Sequence, residues 1–153
     1  MAQTYFEDIK TGQVTETEPK KVTQDMITIF AYLTGDVNPL HIDEGLAKAG
    51  PFGGIVAHGL FTVSVAVGLL YSHNLLDGMI LRKFDEINFI RPVYANDSIY
   101  TKFVVVGKDA YFIKIKEKHF GQISCRVDVL NQKDKPVVAT DFKMLVEHKN
   151  GPT

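Results

Sequence analysis

The chain has 153 residues, 45% of them hydrophobic and 23% charged, and a formal net charge of −1. That length buries one core without disulfides or a structural metal. The composition excludes a disordered chain, and the near-neutral charge excludes a protein that holds nucleic acid through a broad basic surface. The longest apolar run, LFTVSVAVGLLY at 60–71, is shorter than the roughly 20 residues a membrane span requires and is flanked by His58 and His73, so no membrane partner is expected.

The amino terminus, MAQTYFEDIK, carries no cationic stretch followed by an apolar one, the pattern of a secretory leader. With a single cysteine, this points to a reducing, cytoplasmic setting. Residues 13–21 read as an edge strand. Thr23 then stands as an N-cap before Met26, Ile27, Phe30 and Leu33, which recur at helical spacing, and Gly35 ends that helix.

Next comes a polar break, YLTGDVNPLHID at 32–43. Pro39 fixes its own φ and biases Asn38 away from the helical region, so one smooth helix cannot run through it. Two readings are open. In one, Asp36 and Asn38 satisfy local backbone groups in a turn and His41 is merely exposed. In the other, the break brings Asp36 and His41 to one reaction centre.

DEGLAKAG predicts a further short helix, ended by the turn chemistry of PFGG. From Gly59 to about Leu76 the chain is apolar on nearly every face, and a helix of that kind must be enclosed by protein. Its small-residue approach, GGIVAHGLF, presents free backbone N–H groups where the helix starts, a place that favours developing negative charge. Gly59 is equally explained by close packing that admits no Cβ, and His58 by a hydrogen bond to nearby backbone.

After Gly78 the apolar period becomes two. Segments 84–91 and 98–106 read as strands separated by RPVYAND. A third strand at 111–118 sets Tyr111, Ile113 and Ile115 against Lys114, Lys116 and Lys118. In a fourth, Ile123, Cys125, Val127 and Val129 alternate with Ser124, Arg126 and Asp128, which marks Cys125 as a buried apolar residue. Val138, Thr140, Phe142, Met144 and Val146 form the last. GKDA and NQKDK are too short for parallel crossovers, so the strands are expected to pair antiparallel. The simplest architecture is α+β, with a curved sheet around the apolar helix, in one domain at 1–148 followed by a short flexible tail at 149–153.

AYLTGDVNPLHID, GIVAHGLFTVSVAVGLL, FDEINFIRPVYANDSI and the opening YFEDIKTGQ together resemble the MaoC-like hydratases, the (R)-specific enoyl-CoA hydratase family. The resemblance implies a hot-dog fold, an antiparallel sheet wrapped around a central helix, and a homodimer or higher oligomer. It implies an acyl-CoA substrate, no cofactor, and reversible hydration of a trans-2-enoyl-CoA to an (R)-3-hydroxyacyl-CoA. Matched position by position, the catalytic pair falls on Asp36 and His41, the carbonyl-binding backbone amide on Gly59, and a site-orienting asparagine on Asn38. A helix serine of some members falls on Val67, with Ser64 one turn earlier.

Arg82, Lys83, Arg91 and Lys102 are candidate cations for the CoA phosphates by position, though surface or strand-edge roles account for each of them as well. His41, His58, His73, His119 and His148 show no paired ligand spacing and no second cysteine joins them, so no metal is expected. Two other functions suit the same fold: an acyl-CoA thioesterase, which the GDxNPxH segment disfavours, and a non-catalytic acyl-CoA-binding module.

Overall fold

A computed structural model describes residues 4–73 and 77–150, without the side chains of Tyr111 and Phe112. The expected helix end at Leu76, the facing of Tyr111 and the tail residues 151–153 lie outside the described residues. A 3₁₀ turn at Phe6–Asp8 leads to β1 (Val14–Glu16) and β2 (Lys20–Lys21), then α1 (Gln24–Thr34), α2 (Pro39–Ile42), α3 (Glu44–Ala49) and α4 (Gly59–Ser72). Four long strands follow: β3 (Ile80–Phe89), β4 (Ser98–Ile115), β5 (Lys118–Asn131) and β6 (Pro136–Glu147). All pair antiparallel in one sheet of order β1-β4-β5-β6-β3, with β2 also on β4. This is the α+β hot-dog arrangement, a helix laid along a curved antiparallel sheet.

The apolar periodicity explains what is buried. Ile123, Cys125, Val127 and Val129 of β5 and Val138, Thr140, Phe142, Met144 and Val146 of β6 all turn inward. They meet α4 from two sides. Leu70 joins Phe103, Ile123, Phe142 and Met144 in one cluster, whereas Phe61, Val63 and Ala66 join Val22, Ile27, Val129 and Val138 in another. Each such side chain contributes about 1.5–3 kcal/mol of transfer free energy on full burial. This packing, rather than helix propensity, supplies most of the stability of α4.

Three expectations need correction. GKDA is no turn: β4 runs unbroken from Ser98 to Ile115, so the two strands expected at 98–106 and 111–118 are largely one. Register shifts between Val105 and Gly107 and between Asp109 and Ile113 absorb the irregularity, and the reversal comes at Lys116-Glu117, with Lys116 at φ 55°. Leu33 is 80% exposed, because the inward face of α1 is carried by Ile27 and Ala31, one turn apart. Lys149, expected in the tail, is tied down: its N–H donates to Glu7 and its Nζ to Asp8.

Candidate active site

The polar break folds as two capped ends facing each other. Thr23 Oγ1 accepts from Met26 N at the start of α1, and Gly35, at φ 80°, stops it with its N–H on Ala31 O. The left-handed φ is one glycine adopts without strain. Asp36 follows directly. Its N–H donates to Thr34 Oγ1 at 3.3 Å and its C=O accepts from His58 Nε2 at 2.9 Å, so its peptide is held on both sides. Its exposed carboxylate accepts no hydrogen bond from the described residues.

Asn38 then starts α2, with Oδ1 accepting from Leu40 N at 3.1 Å and Pro39 at the first helical position. A four-residue helix is too short to persist alone. Here Val56 grips it at both ends: Val56 N–H donates to Leu40 O, and Val56 O accepts from His41 Nδ1 at 2.6 Å. Val56 is itself pinned by a bridge to Tyr94, and Gln24 Nε2 donates to His41 O. Because a carbonyl only accepts, the proton of neutral His41 sits on Nδ1 and its Nε2 lone pair is left for the cleft.

His58 immediately precedes α4 and is 3% exposed. Its ring stacks on that of His41, with centroids 3.6 Å apart and planes 29° off parallel, and lies 5.1 Å from Phe30. By the same reasoning its proton is on Nε2. Its Nδ1 is buried and has no hydrogen-bond partner among the described residues. One carboxylate oxygen of Asp36 and one ring nitrogen from each of His41 and His58 fall within 4.8 Å of one another. A cation could draw on those three groups, but near-parallel stacked rings hold their in-plane lone pairs side by side, whereas tetrahedral coordination requires them to converge.

Gly59 opens α4, and no side chain caps that helix start. A Cβ there would lie 2.5 Å from Phe89 Cε1 and 2.8 Å from Cδ1 and Cζ, so the ring of Phe89 uses the space that glycine leaves. Asp36, His41, His58 and Gly59 all border one cleft of about 490 Å³, whose walls include Phe30, Phe52, Leu60, Phe89 and Val138. The site is thus an apolar slot with a carboxylate, an imidazole lone pair and a helix N-terminus at one end.

The remaining sequence-derived candidates separate. Ser64 is exposed and bonds back to Leu60 O, and neither it nor Val67 borders the cleft. Of the four cations, only Arg91 borders it, donating from Nη1 to Pro136 O; Arg82 meets Gln122, Lys83 meets Asp85, and Lys102 meets Glu16. For His58 the sequence leaves open a bond to nearby backbone beside a catalytic role. The backbone it holds belongs to Asp36, 22 residues earlier, and the only signal for it was a histidine directly ahead of Gly59.

Residues 7–126, from the 3₁₀ turn into β5, match the family model described as a MaoC-like domain. The chain belongs to the MaoC-like family. It is 31% identical over 125 residues to a 3-hydroxybutyryl-CoA dehydratase of Methylorubrum extorquens, covering 82% of this chain and 74% of the relative. It is also 31% identical over 103 residues to an (R)-specific enoyl-CoA hydratase of Rhodospirillum rubrum, covering 67% and 70% respectively. Among solved structures, a monoamine oxidase regulatory protein from Archaeoglobus superposes with a TM-score of 0.85 over 97% of each chain, at 31% identity. In the MaoC-like frame the cleft sits where α4 begins beside the GDxNPxH segment.

Proposed function

We propose that this chain is an (R)-specific enoyl-CoA hydratase that adds water reversibly to trans-2-enoyl-CoA. The observation that carries the reading is a carboxylate oxygen of Asp36 and a ring nitrogen of His41 lying within 4.8 Å of each other beside the start of α4. Two hydrogen bonds of about 2.8 Å meeting at a tetrahedral angle on one water span about 4.6 Å. Both groups accept, so such a water donates both hydrogens and turns a lone pair toward the substrate.

Asp36 takes a proton from that water as its oxygen bonds to C3 of the enoyl thioester. The C2–C3 π electrons move toward the carbonyl, and the Gly59 N–H meets the developing enolate oxygen. Donors of that kind account for about 2.7–4 kcal/mol of barrier in other enzymes. The proton then passes through the Asp36–His41 pair to C2, so one water is consumed and both groups end as they began. Asn38 orients the pair by capping α2, which carries His41.

No cofactor takes part in these steps. The aromatic and aliphatic walls suit an acyl chain and exclude bulk water from the enolate. The R configuration rests on the family likeness and on the Rhodospirillum relative. Exposed Ile80 and Phe89 on edge strand β3, together with Ile29, Tyr32 and Leu33 on α1, support a homodimer, and the single cysteine supports a cytoplasmic setting. The test is loss of enoyl absorbance with crotonyl-CoA, run beside a chromogenic assay for free thiol. Thiol release without hydration would assign a thioesterase; tight acyl-CoA binding without either reaction would assign a binding module.

A further inference from the structure

We propose that His58 is the positioning residue of this site, setting the Asp36 carboxylate against His41 by clamping the Asp36 main chain; the role in turnover rests on the hydratase reading above. The carboxylate of Asp36 has no hydrogen bond to the described residues, so only its backbone directs it. On the amide side, Thr34 Oγ1 accepts from Asp36 N–H at 3.3 Å while donating to Phe30 O at 2.8 Å, a longer bond at an exposed helix end. The carbonyl side is held by His58 at 2.9 Å from a ring that is 3% exposed and cannot turn, because His41 stacks on it and Phe30 packs against it.

The same ring therefore touches both members of the pair, through a hydrogen bond to one and a face to the other. A side chain present only to fill space would need no nitrogen, yet His58 buries one, Nδ1, without a partner among the described residues. An unsatisfied buried polar atom is a cost that an apolar ring would avoid. What the imidazole supplies and a phenyl ring does not is the Nε2–H on Asp36 O. His58 contacts no reacting atom in this scheme and acts through Asp36 and His41.

Two variants separate the bond from the ring. His58→Gln carries an amide N–H near the position of Nε2 but loses the stack, whereas His58→Phe keeps the stack and loses the donor. Misplacing a reacting group by about 1 Å can cost about 10²-fold in rate. His58→Phe should therefore lose about that much in kcat for crotonyl-CoA with KM changed less than about twofold, as expected when an interaction matters only in the transition state. His58→Gln should stay within about tenfold of the parent.

Parent-like kcat in His58→Phe, or an equal loss in both variants at matched thermal stability, would overturn the assignment. A parent protein that hydrates no enoyl-CoA refutes the hydratase reading, and the clamp is then decided by NMR. Nitrogen-15 spectra of the unsubstituted protein should show the His58 proton on Nε2, and the Asp36 carbonyl and Val37 amide resonances should move in His58→Phe and stay in His58→Gln. A proton on Nδ1, or unmoved resonances in His58→Phe, contradicts the clamp.

Discussion

Asp36→Asn separates a catalytic break from a polar turn, because the two readings predict opposite balances of stability and rate. The substitution preserves shape and leaves the Asp36 N–H and C=O, the groups bonded to Thr34 and His58, untouched. The carboxylate it removes is exposed and has no hydrogen bond to the described residues. The stability change should lie within about 0.5 kcal/mol, the range of surface substitutions, which moves the melting temperature of a chain this size by about 2 °C at most. The amide cannot accept a proton from water, so the general-base contribution of about 10² to 10⁴ in rate is lost, or about 2.7 to 5.4 kcal/mol of barrier. Enoyl absorbance at saturating crotonyl-CoA measures the rate, and calorimetry or circular dichroism the melting point. Undiminished hydration would refute the general-base argument; a large drop in melting temperature with modest loss of rate would return Asp36 to a structural role.

Three further outcomes test the surrounding structure. At Gly121, inside β5, a Cβ would approach the buried Phe6 ring to 2.5 Å; that ring is enclosed by His148 at 4.6 Å and Lys108 Nζ at 4.4 Å, so Gly121→Ala should cost about 1–3 kcal/mol in urea unfolding, and an unchanged midpoint contradicts the packing. Burial raises the carboxyl of Glu7, but bonds from Lys149 N–H, the His148 ring and its own backbone outweigh this and bring it down to about 2. Because the folded value lies below the ordinary 4.5, the stability Glu7 adds is complete above about pH 4.5 and fades as pH falls toward 2, so the stability difference between the parent and Glu7→Gln should shrink across that window; a constant difference would sink the idea. Burial pushes the Cys125 thiol up to about 12, so a chromogenic disulfide reagent should leave the native protein unmodified at pH 8 and react after denaturation; rapid native labelling is the contrary result.

Much of this architecture was legible from local chemistry. Thr23 and Gly35 bracket α1 because a cap and a left-handed glycine act within one turn, and the alternation from Ile123 to Val129 survives folding because its inner face has one place to go. What was not legible depends on partners distant in sequence. The Gly and Asp of GKDA suit a turn and a bulge equally, and only pairing with β5 decides between them. A four-residue helix such as α2 has no periodicity to read, and it exists through Val56 and Asn38. Leu33 fits the helical stripe of α1, yet α1 packs along Ile27 and Ala31 instead. Asp36, His41 and Gly59 were expected together from local chemistry and family likeness, and they border one cleft. The bond from His58 to the Asp36 carbonyl spans 22 residues and leaves no local trace.

In the proposed reaction, Asp36 and His41 hold one water for addition across an enoyl thioester at the start of α4. Incubation with crotonyl-CoA, followed by chiral analysis of the product, tests it most directly. The expected product is (R)-3-hydroxybutyryl-CoA with CoA still attached, and none of it should form with Asp36→Asn. Free CoA without hydration, or the S alcohol, would contradict it.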